Sequence, residues 1–166
     1  MKKIIITKND IVITENAEIA DTFFTRFRGL MFRRTIADDY AHHPKELEVT
    51  LNAAKKMGYN KVIAVFQPFT YSRTKMLFDD FVEVLKIADK CLLTEIMGSR
   101  ETDNLGMYSS MLAEKIPDCE WFNSFEEISE RALELAEEND LIITLGCGDI
   151  YKAAKIMIKK LEEKQK

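Results

Sequence analysis

Three short apolar runs, KVIAVFQP, CLLTEI and LIITLG, recur from residue 61 onward with a longer amphipathic stretch after each. Such runs are apolar on consecutive residues rather than on alternate ones. That pattern suits strands buried on both faces, which occur in parallel sheets because each crossover must return over the sheet and cover it. The intervening stretches supply the crossovers. KELEVTLNAAKKMG has Pro44 at a first-turn position and Gly58 as a stop, and it lines up Leu47, Leu51 and Ala54 on one face. SRTKMLFDDFVEVLKIAD reads as one long helix in which Leu77, Phe78, Phe81, Leu85 and Ala88 form a core-packing stripe. SSMLAEKI predicts a short helix, Ser124 and Glu127 a capping box before FEEISERALELAEEN, and Tyr151 to about Glu163 a closing helix. Together these predict a three-layer α/β body around a mostly parallel sheet.

In such a sheet, ligands bind beyond the C-terminal ends of the strands. The phrases QPFTYSRTK, TEIMGSRETD and TLGCGDIYK all occupy that position, so one rim can collect residues far apart in sequence.

The chain of 166 residues, 46% of them hydrophobic, is long enough for one well-buried domain and a small appendage. No stretch approaches a membrane span, and the opening MKKIIITKNDIVIT is broken by Lys8, Asn9 and Asp10, which argues against a signal peptide and for a cytoplasmic protein. Cys91, Cys119 and Cys147 are odd in number and widely spaced, as expected of free thiols. A net charge of -4 disfavours general nucleic-acid binding. Residues 1–36 carry seven basic residues against four acidic, leaving the acidic excess to the rest. The expected division is therefore a head, residues 1–36, and a body, residues 37–166. IIIT and IVIT in the head predict a hairpin, and Ile19, Phe23, Phe27 and Leu30 a short helix that Gly29 can cut short.

The only two histidines, His42 and His43, lie in ADDYAHHPKE. With Asp38 and Asp39 they have the atom types of a zinc site, but adjacent histidines diverge and there is no third. The alternatives are a mixed polar pocket, or a structural role with His43 capping the helix at Pro44 and Asp39 accepting from backbone donors. Arg73 follows a strand and sits near a helix start, where it can grip a carboxylate or phosphate; the competing reading is a solvated charge. In the loop GCGDIY, Gly146 and Gly148 allow backbone N–H groups to approach a ligand or simply make a tight turn. Cys147 on that loop is a nucleophile only if a histidine folds beside it. Neither a dinucleotide fingerprint nor GxxxxGK[ST] occurs anywhere in the chain.

Taken together, ADDYAHHPKELEVTLNAAKKMG, KVIAVFQPFTYSRTK and LIITLGCGDIYK resemble the C-terminal domain of the UDP-N-acetylmuramate:L-alanine ligases of the Mur ligase family, over about residues 37–166. The resemblance implies a Rossmann-like unit of an enzyme of peptidoglycan synthesis whose other two domains hold ATP and the UDP-sugar. It implies a reaction in which ATP phosphorylates the muramate carboxylate, with Mg, and the amine of L-alanine displaces phosphate. Carried over, it makes Asp39 and Tyr40 nucleotide contacts, puts His42, His43 and Arg73 at the substrate cleft, and sets Gly146, Cys147, Gly148 and Asp149 beside the amino acid. Phe69 departs from the family, which commonly has His there, and a phenyl ring cannot replace the imidazole's hydrogen bonds.

The expected function is thus that of a C-terminal ligase domain, contributing nucleotide and amino-acid contacts without complete activity alone and relying on a partner protein for the ATP-binding and UDP-sugar domains. The alternative is a stand-alone binding or interaction module, or a vestigial fragment, without catalysis. In the head, ADTFFTRFRGLMFRR is similar to the opening of a small uncharacterised β-rich family, suggesting a fusion of fragments or a truncated product.

Overall fold

The computed structural model describes residues 4–8, 11–17 and 35–163, and the chain divides into two compact units, residues 1–32 and 33–166. In the first, β1 (Ile4–Lys8) and β2 (Ile11–Ala17) pair antiparallel with Lys8 opposite Ile11, so the expected hairpin forms. The helix expected over Ile19 to Leu30 lies outside the described residues.

The second unit contains β3 (Thr35–Asp39), α1 (Pro44–Lys55), β4 (Val62–Phe66), α2 (Tyr71–Met76), α3 (Phe78–Leu85), β5 (Lys90–Thr94), α4 (Ser109–Ala113), β6 (Glu120–Phe122), α5 (Phe125–Leu135), β7 (Leu141–Leu145) and α6 (Tyr151–Glu163). Five strands form a sheet in the order β3-β7-β4-β5-β6, and all neighbours run parallel. Every residue of β4 and β7 is buried, as uninterrupted apolar runs require when helices cover both faces.

Side-chain alternation sorts the core into two layers. Ile63, Val65, Leu92 and Ile142 cluster with Ile128 and Ala132 of α5 and with Ala153 and Met157 of α6. Phe66 points the other way and meets Phe81 of α3 with ring centroids 5.6 Å apart. Leu47, Leu51 and Ala54 of α1 are fully buried, so the expected apolar face is the packed one. This is the three-layer α/β arrangement with a mostly parallel sheet.

Two features depart from the sequence reading. The long helix expected over residues 72–89 is broken at Leu77, where the backbone turns to φ -111°, ψ 26°. The break separates a short helix that carries Arg73 from the helix that packs Phe81 and Leu85 into the core. The strands β3 and β6, both at sheet edges, went unrecognised: TIADD ends in two acids, and EWF is too short to show a pattern.

Candidate functional site

The parallel register brings the C-terminal strand ends into one row. Asp39 of β3 and Phe66 of β4 both lie opposite Leu145 of β7. The ladder continues one step past the strands, with Gly146 N donating to Asp39 O at 3.1 Å and Gln67 N to Leu145 O at 3.0 Å. The loops that follow Asp39, Phe66 and Leu145 therefore leave the sheet side by side. Beyond the strands, an isolated parallel bridge between Phe69 and Met97 joins the loops after β4 and β5, with Met97 N donating to Pro68 O and Thr70 N to Met97 O, each at 2.9 Å. The rim foreseen from three distant phrases is a continuous surface.

At its centre, Tyr40, His42, Phe69 and Arg73 form a chain of ring contacts. His42 lies edge-on to Tyr40 at 6.0 Å and to Phe69 at 6.3 Å, and the Arg73 guanidinium sits 5.8 Å from the Phe69 centroid. That last distance falls within cation–π range. Phe69 thus trades the imidazole's hydrogen bonds for an aromatic face between a histidine and an arginine. Tyr40 is 70% exposed, so its ring is open to solvent. Nη1 of Arg73 is buried without a hydrogen-bond partner, an arrangement that leaves strong donor capacity unused.

The helix start beside Arg73 is already occupied. Glu101 accepts from Tyr71 N at 2.5 Å, from Ser72 N at 3.1 Å and from the Ser72 hydroxyl. These bonds, the Ser72 hydroxyl foremost, hold the Glu101 carboxyl below its ordinary value. Thr70, which precedes α2, sits at φ 65°, a left-handed conformation rare for a β-branched residue. Backbone strain of this kind concentrates where surrounding structure over-determines a position.

The histidines have separate duties. His43 is the N-cap of α1: its Nδ1 accepts from Lys45 N at 3.3 Å, and Glu46 Oε2 accepts from the backbone N–H groups of both His42 and His43 at 3.1 Å. This reciprocal capping box lowers the Glu46 pKa, chiefly through the His42 backbone N–H. His42 turns its ring toward the rim, with Nδ1 3.2 Å from Tyr40 O and 3.3 Å from Glu46 Oε2. Asp39 accepts from the Thr50 hydroxyl of α1 at 2.5 Å, while Asp38 accepts from Thr144 of β7 at 2.6 Å. Those partners hold the two acids apart, and among the described residues no group of three or more His, Cys, Asp or Glu is placed to hold a metal ion.

The loop after β7 is built into the rim by close approach. Gly146 adopts φ +138°, and a Cβ there would lie 2.8 Å from Gln67 O; at Gly148 a Cβ would lie 2.5 Å from both Gln67 Oε1 and Met97 Sδ. Gln67 Oε1 accepts from Asp149 N at 2.8 Å, tying the two loops. Asp149 itself pairs with Lys152 at 2.8 Å. Burial pushes the Cys147 thiol up against the pull of Arg73, the reverse of what an activated nucleophile needs.

The structure therefore brings all the expected site residues to one rim, with Asp39 and His43 engaged in bonds to α1. Sequence reasoning missed Glu46, Gln67 and Glu101. Only Glu46 carried a signal, since it lies three residues after the cap.

A family model described as "Mur ligase, glutamate ligase domain" matches residues 26–148. The chain belongs to the Mur ligase family. It is 46% identical over 129 residues to a UDP-N-acetylmuramate–L-alanine ligase of Lachnospira eligens, a match covering 75% of this chain and 28% of that protein. A ligase of the same description from Clostridium botulinum is 47% identical over 135 residues, covering 79% of this chain and 30% of the relative. The chain thus spans under a third of the curated relatives it matches. The crystal structure of the Thermotoga maritima UDP-N-acetylmuramate–alanine ligase superposes with a TM-score of 0.62 at 21% identity, over 78% of this chain and 27% of that one. A single domain from a putative UDP-N-acetylmuramate:L-alanyl-γ-D-glutamyl-meso-diaminopimelate ligase of Haemophilus ducreyi superposes with a TM-score of 0.58 at 20% identity, covering 76% of this chain and 90% of that domain. The body is a C-terminal Mur ligase domain of the UDP-N-acetylmuramate–L-alanine ligase type. Among the described residues no helix is long and apolar enough to cross a membrane.

Proposed function

We propose that this chain supplies one wall of the active site of an ATP-dependent ligase joining L-alanine to UDP-N-acetylmuramate, in the cytoplasmic stage of peptidoglycan synthesis. On this reading the described domain supplies only part of the site, and the nucleotide and the UDP-sugar are held mainly by the other domains of such a ligase. The observation that carries the proposal is Arg73: a guanidinium on a rim, 5.8 Å from the Phe69 ring centroid, with its Nη1 buried and without an acceptor. An anion there regains the hydrogen bond that the free protein lacks.

The residues present suit part of a nucleotide. Tyr40 offers an exposed aromatic face for a base, and Arg73 offers a cationic donor to a phosphate or carboxylate. Bound ATP would supply the phosphoryl group that activates a carboxylate. Asp39 fits less directly, because one of its oxygens already accepts from Thr50. Among the described residues no three metal-ligating side chains are grouped to hold an ion. Gly146 to Asp149, held against Gln67, form the side of the rim proposed to face the amino acid.

Titrating the isotopically labelled chain with ATP, and separately with L-alanine, tests this by two-dimensional NMR. The expected result is perturbation of residues 38–43 with ATP and of residues 146–149 with either ligand, without any need for zinc. Unchanged signals in both loops at saturating ligand overturn it and favour a module without ligand recognition.

A further inference from the structure

The edge of the sheet remote from β3 holds two cysteines that the proposed function does not use. Leu92 of β5 lies opposite Glu120 of β6 in parallel register. The residues one step back along each chain are Cys91 and Cys119. Their directions follow from their neighbours. Leu92 packs into the cluster that contains Ile128 and Ala132 of α5, and Glu120 reaches Arg131 on the same helix at 2.9 Å. Alternation sends Cys91 to the opposite face, and Cys119, which immediately precedes β6, turns its thiol to the Cys91 thiol there.

Neighbouring strands are about 4.8 Å apart, and a disulfide accepts Cα separations of about 4.4–6.8 Å. The spacing and the shared face meet that requirement without a change of fold. Cys91 is buried and Cys119 half-buried, so an oxidant reaches Cys119 first. A hydrogen bond with the Cys119 thiol raises the Cys91 pKa well above its ordinary value, and burial adds to the effect.

We propose that Cys91 and Cys119 form a reversible disulfide under hydrogen peroxide, a modification site that staples the edge strand β6 to β5. The peroxide O–O bond breaks as Cys119 Sγ takes one oxygen, giving a sulfenic acid and water. Cys91 Sγ then attacks Cys119 Sγ, the S–O bond breaks, and the hydroxyl leaves as a second water with the Cys91 proton. Two thiols are oxidised by two electrons, and one peroxide is reduced to two waters. The closed loop encloses Glu101 and α4, so the staple ties the segment that caps the Arg73 helix to the sheet edge.

The test is peptide mapping of the whole chain after treatment with hydrogen peroxide, with and without later dithiothreitol. The expected result is a single intramolecular Cys91–Cys119 link, formed equally in Cys147→Ser, absent in Cys119→Ser and reversed by dithiothreitol. In Cys91→Ser the sulfenic acid on Cys119 has no resolving partner and should be captured by dimedone. Because wild-type mapping is informative by itself, a variant that fails to fold leaves the test intact. A link through Cys147, over-oxidation of Cys119 with Cys91 still free, or no reaction at Cys119 overturns the proposal.

Discussion

Arg73 and Glu101 share the turn at the start of α2, yet they differ in what occupies them. Glu101 is satisfied by Tyr71 and Ser72, whereas Arg73 keeps its Nη1 buried without an acceptor. Arg73→Ala should therefore weaken the ATP-induced NMR shifts at least tenfold in apparent affinity while leaving the spectrum folded. Arg73→Lys should recover little, because an ammonium lacks the planar fork of donors that a guanidinium offers to a phosphate or carboxylate. Glu101 also predicts a pH response. Its folded pKa lies below the ordinary 4.5, so the stability it contributes is present above that value and is lost as pH falls through the lowered one. The amide signals of Tyr71 and Ser72 should titrate in that acid window, and the transition should vanish in Glu101→Gln. At Gly146 the positive φ and the nearby Gln67 carbonyl leave no relaxed place for a methyl group. Gly146→Ala should cost about 1–3 kcal/mol in urea denaturation.

Two helices illustrate how elements place the site. α1 begins at the His43 cap, and its reciprocal bonds with Glu46 fix where the chain turns from the Tyr40 rim into the helix. Glu46→Ala should cost about 1 kcal/mol of stability, and should shift the His42 and Tyr40 signals more than those of the distant helix α6. The break at Leu77 divides labour differently, leaving α3 to pack while α2 carries Arg73. Phe81 is fully buried against Phe66, so Phe81→Ala should cost about 3–5 kcal/mol in the same denaturation.

For the molecule as a whole, the 166 residues contain no GxxxxGK[ST] loop to hold nucleotide phosphates, and the rim offers only one wall of a cleft. The chain assayed by itself should release no phosphate with ATP, UDP-N-acetylmuramate and L-alanine; release dependent on all three would contradict the proposed division of labour. The central strands and most helices were legible in the sequence because burial on both faces demands continuous apolar runs, and a single buried face demands a stripe at helical spacing. KVIAVF, LIITL and the Leu47–Leu51–Ala54 face carry those demands openly. Edge strands escape them, since β3 and β6 are covered on fewer sides, and the kink at Leu77 is invisible to a pattern that continues through it. The phrases that make the rim were likewise readable, each lying just past a strand. Their adjacency was not, because it depends on β7 inserting between β3 and β4, which brings Gly146 against Asp39 and Gln67. The clamp of Glu101 on α2 and the unpartnered Nη1 of Arg73 are tertiary facts for the same reason. Each is a matter of which groups meet in space, and residues such as Glu101 and Ser72, separated by a strand and a helix in the chain, meet only once the sheet has set their loops side by side.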